Sequence, residues 1–192
     1  VAKRPTLPIS SELCYGSTRR RRTIEFALEQ VCDRRLDTIE DRVLAALWVG
    51  TYQLFFTRAA KHAAVGETVE ALKSLGLSRA SGFVNAVLRR LATFDKPPLP
   101  PSTNPVEHLA VRESHPAWLV DRWLRQFGPE RAQAMLVADN LTPPLTVRVN
   151  STKASRDELL AQFQEMGVDA KPTERSPVGV VLATPGKVDA LF

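Results

Sequence analysis

Five prolines fall within the ten residues Lys96–Pro105, in the stretch Lys-Pro-Pro-Leu-Pro-Pro-Ser-Thr-Asn-Pro. Proline lacks a backbone N–H and holds φ near −65°, so this stretch cannot run through a helix or a central strand. It reads as a stiff linker, and it cuts the 192-residue chain into halves of different character. Residues 1–97 carry 16 Lys and Arg against 10 Asp and Glu, a net +6, whereas residues 98–192 carry 10 against 11, a net −1. The expected organisation is a helical domain over 1–96, a Pro-rich linker over 97–113, and a helical hairpin with a small α/β domain over 114–192.

Hydrophobic spacing supports that division. Ile24, Ala27, Leu28 and Val31 recur at i, i+3, i+4 and i+7, which predicts an amphipathic helix over 23–32. Asp37 to Phe56 repeats the period, with Ala45, Ala46 and Gly50 making its middle apolar nearly all round, the signature of a helix at a bundle centre. Thr38 followed by Asp41 resembles its start. Two more helices are expected over 64–74, ended by Gly76, and from a Ser81 cap through Leu91. Beyond the prolines, 116–127 and 129–140 read as a hairpin hinged at Gly128-Pro129. Val147 and Val149 then alternate with Arg148 and Asn150 as a strand with one polar face. Ser155 and Glu158 form a capping box for a helix closed by Gly167, and 178–182 is a second strand. The fold class is mostly α, a helical bundle followed by a small α/β domain.

Nineteen of the 26 basic residues are Arg, with runs at Arg19–Arg22, Arg34-Arg35 and Arg89-Arg90. The planar guanidinium fork matches phosphate oxygens and stacks on bases, so these clusters point to a polyanion. The competing explanation is a solvated helix face. Catalytic signals are missing. No two glycines lie two apart, so there is no phosphate or dinucleotide loop, and His62, His108 and His115 lack metal spacing. Cys14 and Cys32 read as buried thiols, and two cysteines argue for a reducing, cytoplasmic setting. Trp48, Trp118 and Trp123 read as core residues rather than base-stacking ones. The longest uncharged run, Val43–Thr57, has fifteen residues, short of the roughly 20 that a membrane-spanning helix needs.

A series of motifs resembles a known family. Glu12-Leu-Cys-Tyr-Gly16, Tyr52-Gln-Leu-Phe-Phe-Thr-Arg58, His62-Ala-Ala-Val65 with Glu67-Thr-Val-Glu70, and Gly82-Phe-Val-Asn-Ala-Val-Leu-Arg-Arg90 occur in that order. Ser114-His-Pro-Ala-Trp-Leu119, and Asn140 with Pro143-Pro-Leu-Thr-Val-Arg-Val-Asn150, continue it. Together they resemble the NusB-like front domain and connecting region of the Sun/RsmB (Fmu) family of 16S ribosomal RNA cytosine-5 methyltransferases, over about residues 11–191. Free-standing NusB, an antitermination factor, shares the bundle but not the His-Pro-x-Trp-Leu and Arg-x-Asn segments. The chain departs from the family pattern in three places. The family's first helix before Glu12 is not evident, Ala60-Lys61 replaces the usual prolines before His62, and the family's catalytic domain would follow Leu191.

The resemblance implies a parent enzyme in which a cysteine thiolate attacks C6 of a cytosine while S-adenosylmethionine supplies the methyl group. No catalytic, cofactor-binding or metal-binding residue is expected in this chain. Its implied role is to bind and position ribosomal RNA, with the missing methyltransferase domain as a second partner and no membrane. Arg19, Arg20, Arg21, Arg22, Arg34, Arg35, Arg89 and Arg90 form the expected phosphate-binding surface. Arg148 and Asn150 are expected to serve RNA contact, domain docking or local hydrogen bonding. The alternative is a protein-interaction module of the antitermination type, whose basic face meets an acidic protein.

Overall fold

The computed structural model describes residues 9–183. They form two compact units, one ending at Asn140 and the other beginning at Leu141. Both chain ends, including Leu191 after which a catalytic domain is expected, lie outside the described residues.

The first unit is helical: α1 (Ile9–Arg19), α2 (Arg21–Glu29), α3 (Asp41–Phe56), α4 (Lys61–Ser74), α5 (Ser81–Leu91), α6 (Pro105–Arg112), α7 (Ala117–Phe127) and α8 (Pro129–Asp139). As its all-round apolar sequence predicts, α3 is the central helix, packed by α1, α2, α4 and α5, with Gly50 through Leu54 buried without a break. The close approach of α4 and α5 depends on Gly50. A Cβ there would stand 2.6 Å from Leu88 and 3.0 Å from Thr68 Oγ1. Leu28, Leu47, Leu72, Leu88 and Leu91 are fully buried in this core, each stabilising the fold by about 1.5–3 kcal/mol. Gly76 and Gly128 adopt positive φ, +77° and +76°, and terminate α4 and α7 where the sequence places the breaks.

Several expectations are corrected. The expected helix over 37–56 begins only at Asp41, because 36–38 form a 3-10 turn in which Thr38 Oγ1 donates to the Arg35 carbonyl (2.7 Å). Ser81 does not cap α5; its hydroxyl donates to Ser78 O (2.7 Å) from inside the helix. The Glu12–Gly16 motif lies inside α1, a helix without clear apolar periodicity, whose Ser17 and Thr18 hydroxyls donate back to carbonyls one turn earlier. On α1, Leu13, Gly16 and Ser17 face inward, which leaves Cys14 exposed rather than buried. Within the expected linker 97–113, α6 is a true helix: Asn104 Oδ1 accepts from Glu107 N (3.2 Å) and Pro105 opens the first turn. Helices α6, α7 and α8 share a small core of Leu109, Ala110, Val120 and Leu136. Trp48 and Trp123 pack against the two cores as expected, but Trp118 is 64% exposed on α7.

The second unit is β1 (Leu145–Arg148), α9 (Arg156–Glu165), β2 (Ala170–Pro172) and β3 (Gly179–Leu182). The sheet is antiparallel in the order β1-β3-β2, with Val147 opposite Val180 and Leu145 opposite Leu182. Phe163 of α9 packs on Val149, Val180 and Leu182. The capping box forms: Ser155 Oγ accepts from Glu158 N (3.2 Å), and Glu158 Oε2 accepts from Ser155 N (2.7 Å). The Ser155 backbone N–H first, and then the Ser155 hydroxyl, which donates to the same Oε2 (2.9 Å), hold the Glu158 carboxyl below its ordinary value. Strand β2, absent from the sequence expectation, is three residues long and ends in proline, as an edge strand can. Among the described residues, no helix is long and apolar enough to cross a membrane.

Candidate nucleic-acid interface

The Arg19–Arg22 run spans the joint between α1 and α2, and its members part company there. Arg19 ends α1 exposed, with no ion pair or hydrogen bond to the described residues. Arg20 lies over the Phe56 ring (5.3 Å), with Nη1 3.7 Å from the carboxylate of Glu113, which is 9% exposed. Arg21 pairs with Glu25 (2.8 Å) and covers Trp48 (4.6 Å). Arg22 forks onto both oxygens of Glu107, at 2.8 and 3.1 Å. Beside it, buried Thr23 donates to the Val111 carbonyl (2.5 Å), and Arg22 N donates to Ser114 Oγ (3.0 Å). The run is therefore largely a clasp that binds α6 to α2. Ser114 is the one non-glycine with positive φ (+59°) among the described residues, and it sits where the chain leaves that clasp.

The next pair is also engaged within the fold. Arg34 lies over Phe83 (4.6 Å), and Arg35 holds Asp37 through both oxygens (2.6 and 3.1 Å), lowering the carboxyl's pKa through that hydrogen bond. Both arginines line a groove of about 680 Å³ with Arg21, but Glu25, Glu29, Asp33 and Asp37 line it too. Four carboxylates against three guanidiniums make a poor seat for phosphate. Cys32, at the same groove, is half-buried, and that burial pushes its thiol up, away from nucleophilic character.

A second hollow, of about 330 Å³, opens between α4 and α5 and has the opposite character. Lys61, His62, Asn85 and Arg89 line it, and no carboxylate of the described residues does. Lys61 is anchored by the carbonyls of Ala92 (3.0 Å) and Phe94 (2.8 Å), with Asp95 at 3.7 Å. Arg89 is exposed and makes one internal contact, Nε donating to Asn85 Oδ1 (3.2 Å). Its neighbour Arg90 turns to Val31 O (2.8 Å) and Asp33 (2.9 Å) instead. The sequence singles out Arg89 but not Lys61 or Asn85, and it weighs His62 only as a histidine without metal spacing. The signal available was the one-turn spacing of Asn85 and Arg89.

In the second unit Arg148 is exposed at the end of β1. Asn150 lies beyond the strand, and its Oδ1 accepts from Thr152 N (3.2 Å) and Thr152 Oγ1 (2.7 Å), the local use the sequence left open. Among the described residues, no group of three His, Cys, Asp or Glu could hold a metal ion.

Comparison with known proteins matches the NusB family over residues 5–93, and the ferredoxin-like domain described as Methyltr_RsmF/B-like over 115–189. The ribosomal RNA small subunit methyltransferase B of Pseudomonas putida is 36% identical over 183 residues, covering 91% of this chain and 39% of that protein. The proteins of that name from Klebsiella pneumoniae (36% over 180 residues) and Escherichia coli O127:H6 (35% over 182) each cover 94% of this chain and 41% of their own length. The crystal structure of PH0851 shares the fold, with a TM-score of 0.73 at 18% identity over 94% of this chain and 40% of that one. The chain thus spans about 40% of the length of these relatives. It carries a NusB-family domain followed by an RsmF/B-like ferredoxin-like domain, and over 91–94% of its own length it is similar to the ribosomal RNA small subunit methyltransferase B proteins.

Proposed function

We propose that this chain is the non-catalytic, RNA-binding and substrate-positioning part of a small-subunit ribosomal RNA cytosine-5 methyltransferase. The observation that carries the reading is the carboxylate-free hollow of Lys61, His62, Asn85 and Arg89 in a NusB domain. Arg89, whose internal partner is the neutral Asn85, keeps donors for a phosphate backbone, which it attracts without reading its sequence, as positioning a folded RNA requires. Exposed Arg19 and Arg148 extend that role. Arg20, Arg21, Arg22, Arg34, Arg35 and Arg90 contribute only through whatever donor capacity their internal contacts leave. The reading keeps the cytoplasmic setting that the sequence suggested.

The described residues do not fit S-adenosylmethionine. Their one sheet is a three-stranded antiparallel one, and their positive-φ glycines, Gly76, Gly128 and Gly167, each stand alone after a helix. Methyl transfer therefore belongs to a part of the parent enzyme other than these residues, and the reaction's nucleophile with it.

The test is binding of this chain to a small-subunit ribosomal RNA segment and to a scrambled RNA of equal length, across a salt series. The expected result is tighter binding to the ribosomal segment, with an affinity that falls linearly in log–log salt. Arg89→Ala should flatten that slope by about 0.7–0.9, one phosphate contact. Equal affinity for both RNAs would remove the positioning role.

A further inference from the structure

Trp118 stands 64% exposed on the first turn of α7. Arg122 and Arg125, also exposed, follow at i+4 and i+7, so the three share one face over about 10 Å of helix. Arg122 has no ion pair or hydrogen bond to the described residues. Arg125 pairs with Asp121, the sole carboxylate of α7. Elsewhere in this unit a guanidinium already covers a ring: Arg21 on Trp48 (4.6 Å), Arg34 on Phe83 (4.6 Å) and Arg131 on Phe127 (5.3 Å). Among the described residues no cation lies over Trp118, and Arg122 and Arg125 follow along the helix beside its indole.

Such a stripe discriminates among occupants. An apolar partner would cover the indole but strip water from two arginines without repaying them. An acidic segment would satisfy the arginines and leave the ring face unused. An unpaired nucleotide matches both, because every base has a π-face and carries a phosphate on each side. We propose that α7 is a stacking platform for single-stranded RNA, in which the Trp118 indole takes one unstacked base and Arg122 and Arg125 take the adjoining phosphates. This rests on the RNA-binding reading and deepens it by naming the strandedness of the RNA and its contact.

The full chain is titrated into a fluorescein-labelled single-stranded RNA oligonucleotide, and separately into a duplex of the same sequence. Indole emission should be quenched by the single strand. Trp118→Ala should weaken single-strand affinity about tenfold, within the range of one base stacked on an aromatic ring, and leave duplex affinity unchanged. Trp118→Phe should restore most of the loss, and Arg122→Ala should lower the single-strand salt slope by about 0.7. The melting temperature of Trp118→Ala should equal that of the wild type, because an exposed side chain supports no core. A wild type that binds neither RNA overturns the RNA-binding reading and the platform together. Wild-type binding left unchanged by Trp118→Ala, or weakened equally for single strand and duplex, overturns the platform alone, as would a fall in melting temperature.

Discussion

At the α1–α2 joint, arginines meet carboxylates and carbonyls supplied from as far as 93 residues along the chain, the separation of Arg20 and Glu113. In the α4–α5 hollow, Arg89 meets only Asn85, one turn away on its own helix. Both places are basic in sequence, and the joint has the denser run. What separates them is the partner each finds on folding: Glu107 and Glu113 reach the joint, whereas in the hollow Asp95 reaches Lys61 and no carboxylate of the described residues reaches Arg89. A charge cluster is a binding surface only to the extent that the fold leaves it unpaired.

The largest effect that would break this contrast is expected at Thr23. Its hydroxyl is buried in the clasp, and Thr23→Val leaves the Val111 carbonyl without its donor. Unfolding by urea should register a loss of about 1–3 kcal/mol while the RNA salt slope stays at the wild-type value. Next is the hollow, where His62→Ala with Arg89→Ala should weaken RNA about tenfold, and circular dichroism melts should stay within about 0.5 kcal/mol of the wild type. If Arg22→Ala instead proved the more damaging to RNA affinity, the assignment of joint and hollow would be reversed.

A smaller effect is expected for the Arg22–Glu107 pair itself, because both side chains are more than a third exposed. A double-mutant cycle should give a coupling of about 0.2–1 kcal/mol, shrinking with salt. The smallest lies in the second unit and serves as a control without arginine. The carboxyl of Glu158 has its pKa lowered in the folded state, so the stability it adds is present above the unfolded value and is lost as pH falls through the folded one. Acid titration of α9 by circular dichroism should show that loss below the ordinary glutamate range. Glu158→Gln should abolish that pH dependence.

Family boundaries and compactness also divide the chain differently. The RsmF/B-like domain begins at residue 115, yet α7 and α8 pack with α6 in the helical unit, which runs to Asn140. Glu113 marks the seam. Its carboxylate lies near Arg20, and its carbonyl accepts from Asn140 Nδ2 (2.9 Å), so one residue ties the start of the bundle to the last helix of the unit.

Much of this was legible beforehand wherever the determinant is local. The period of Ile24–Leu28, the apolar middle of α3, the glycines after α4 and α7 and the Ser155–Glu158 box each act within a turn or two, and each formed where the residues said. Helix α1 escaped because its polar residues bond back to their own backbone and blur the period, and α6 because a proline stretch masks the Asn104-Pro105 start signal.

By itself, then, the sequence determined the helices, the turns and an arginine-rich front half, since propensity, capping and charge depend on near neighbours. Only the tertiary structure decided that Arg22 is a clasp, that Arg89 stays available and that Trp118 stands in water. Those outcomes depend on which distant carboxylate, carbonyl or apolar face arrives opposite each side chain, and chain separation carries no record of that meeting.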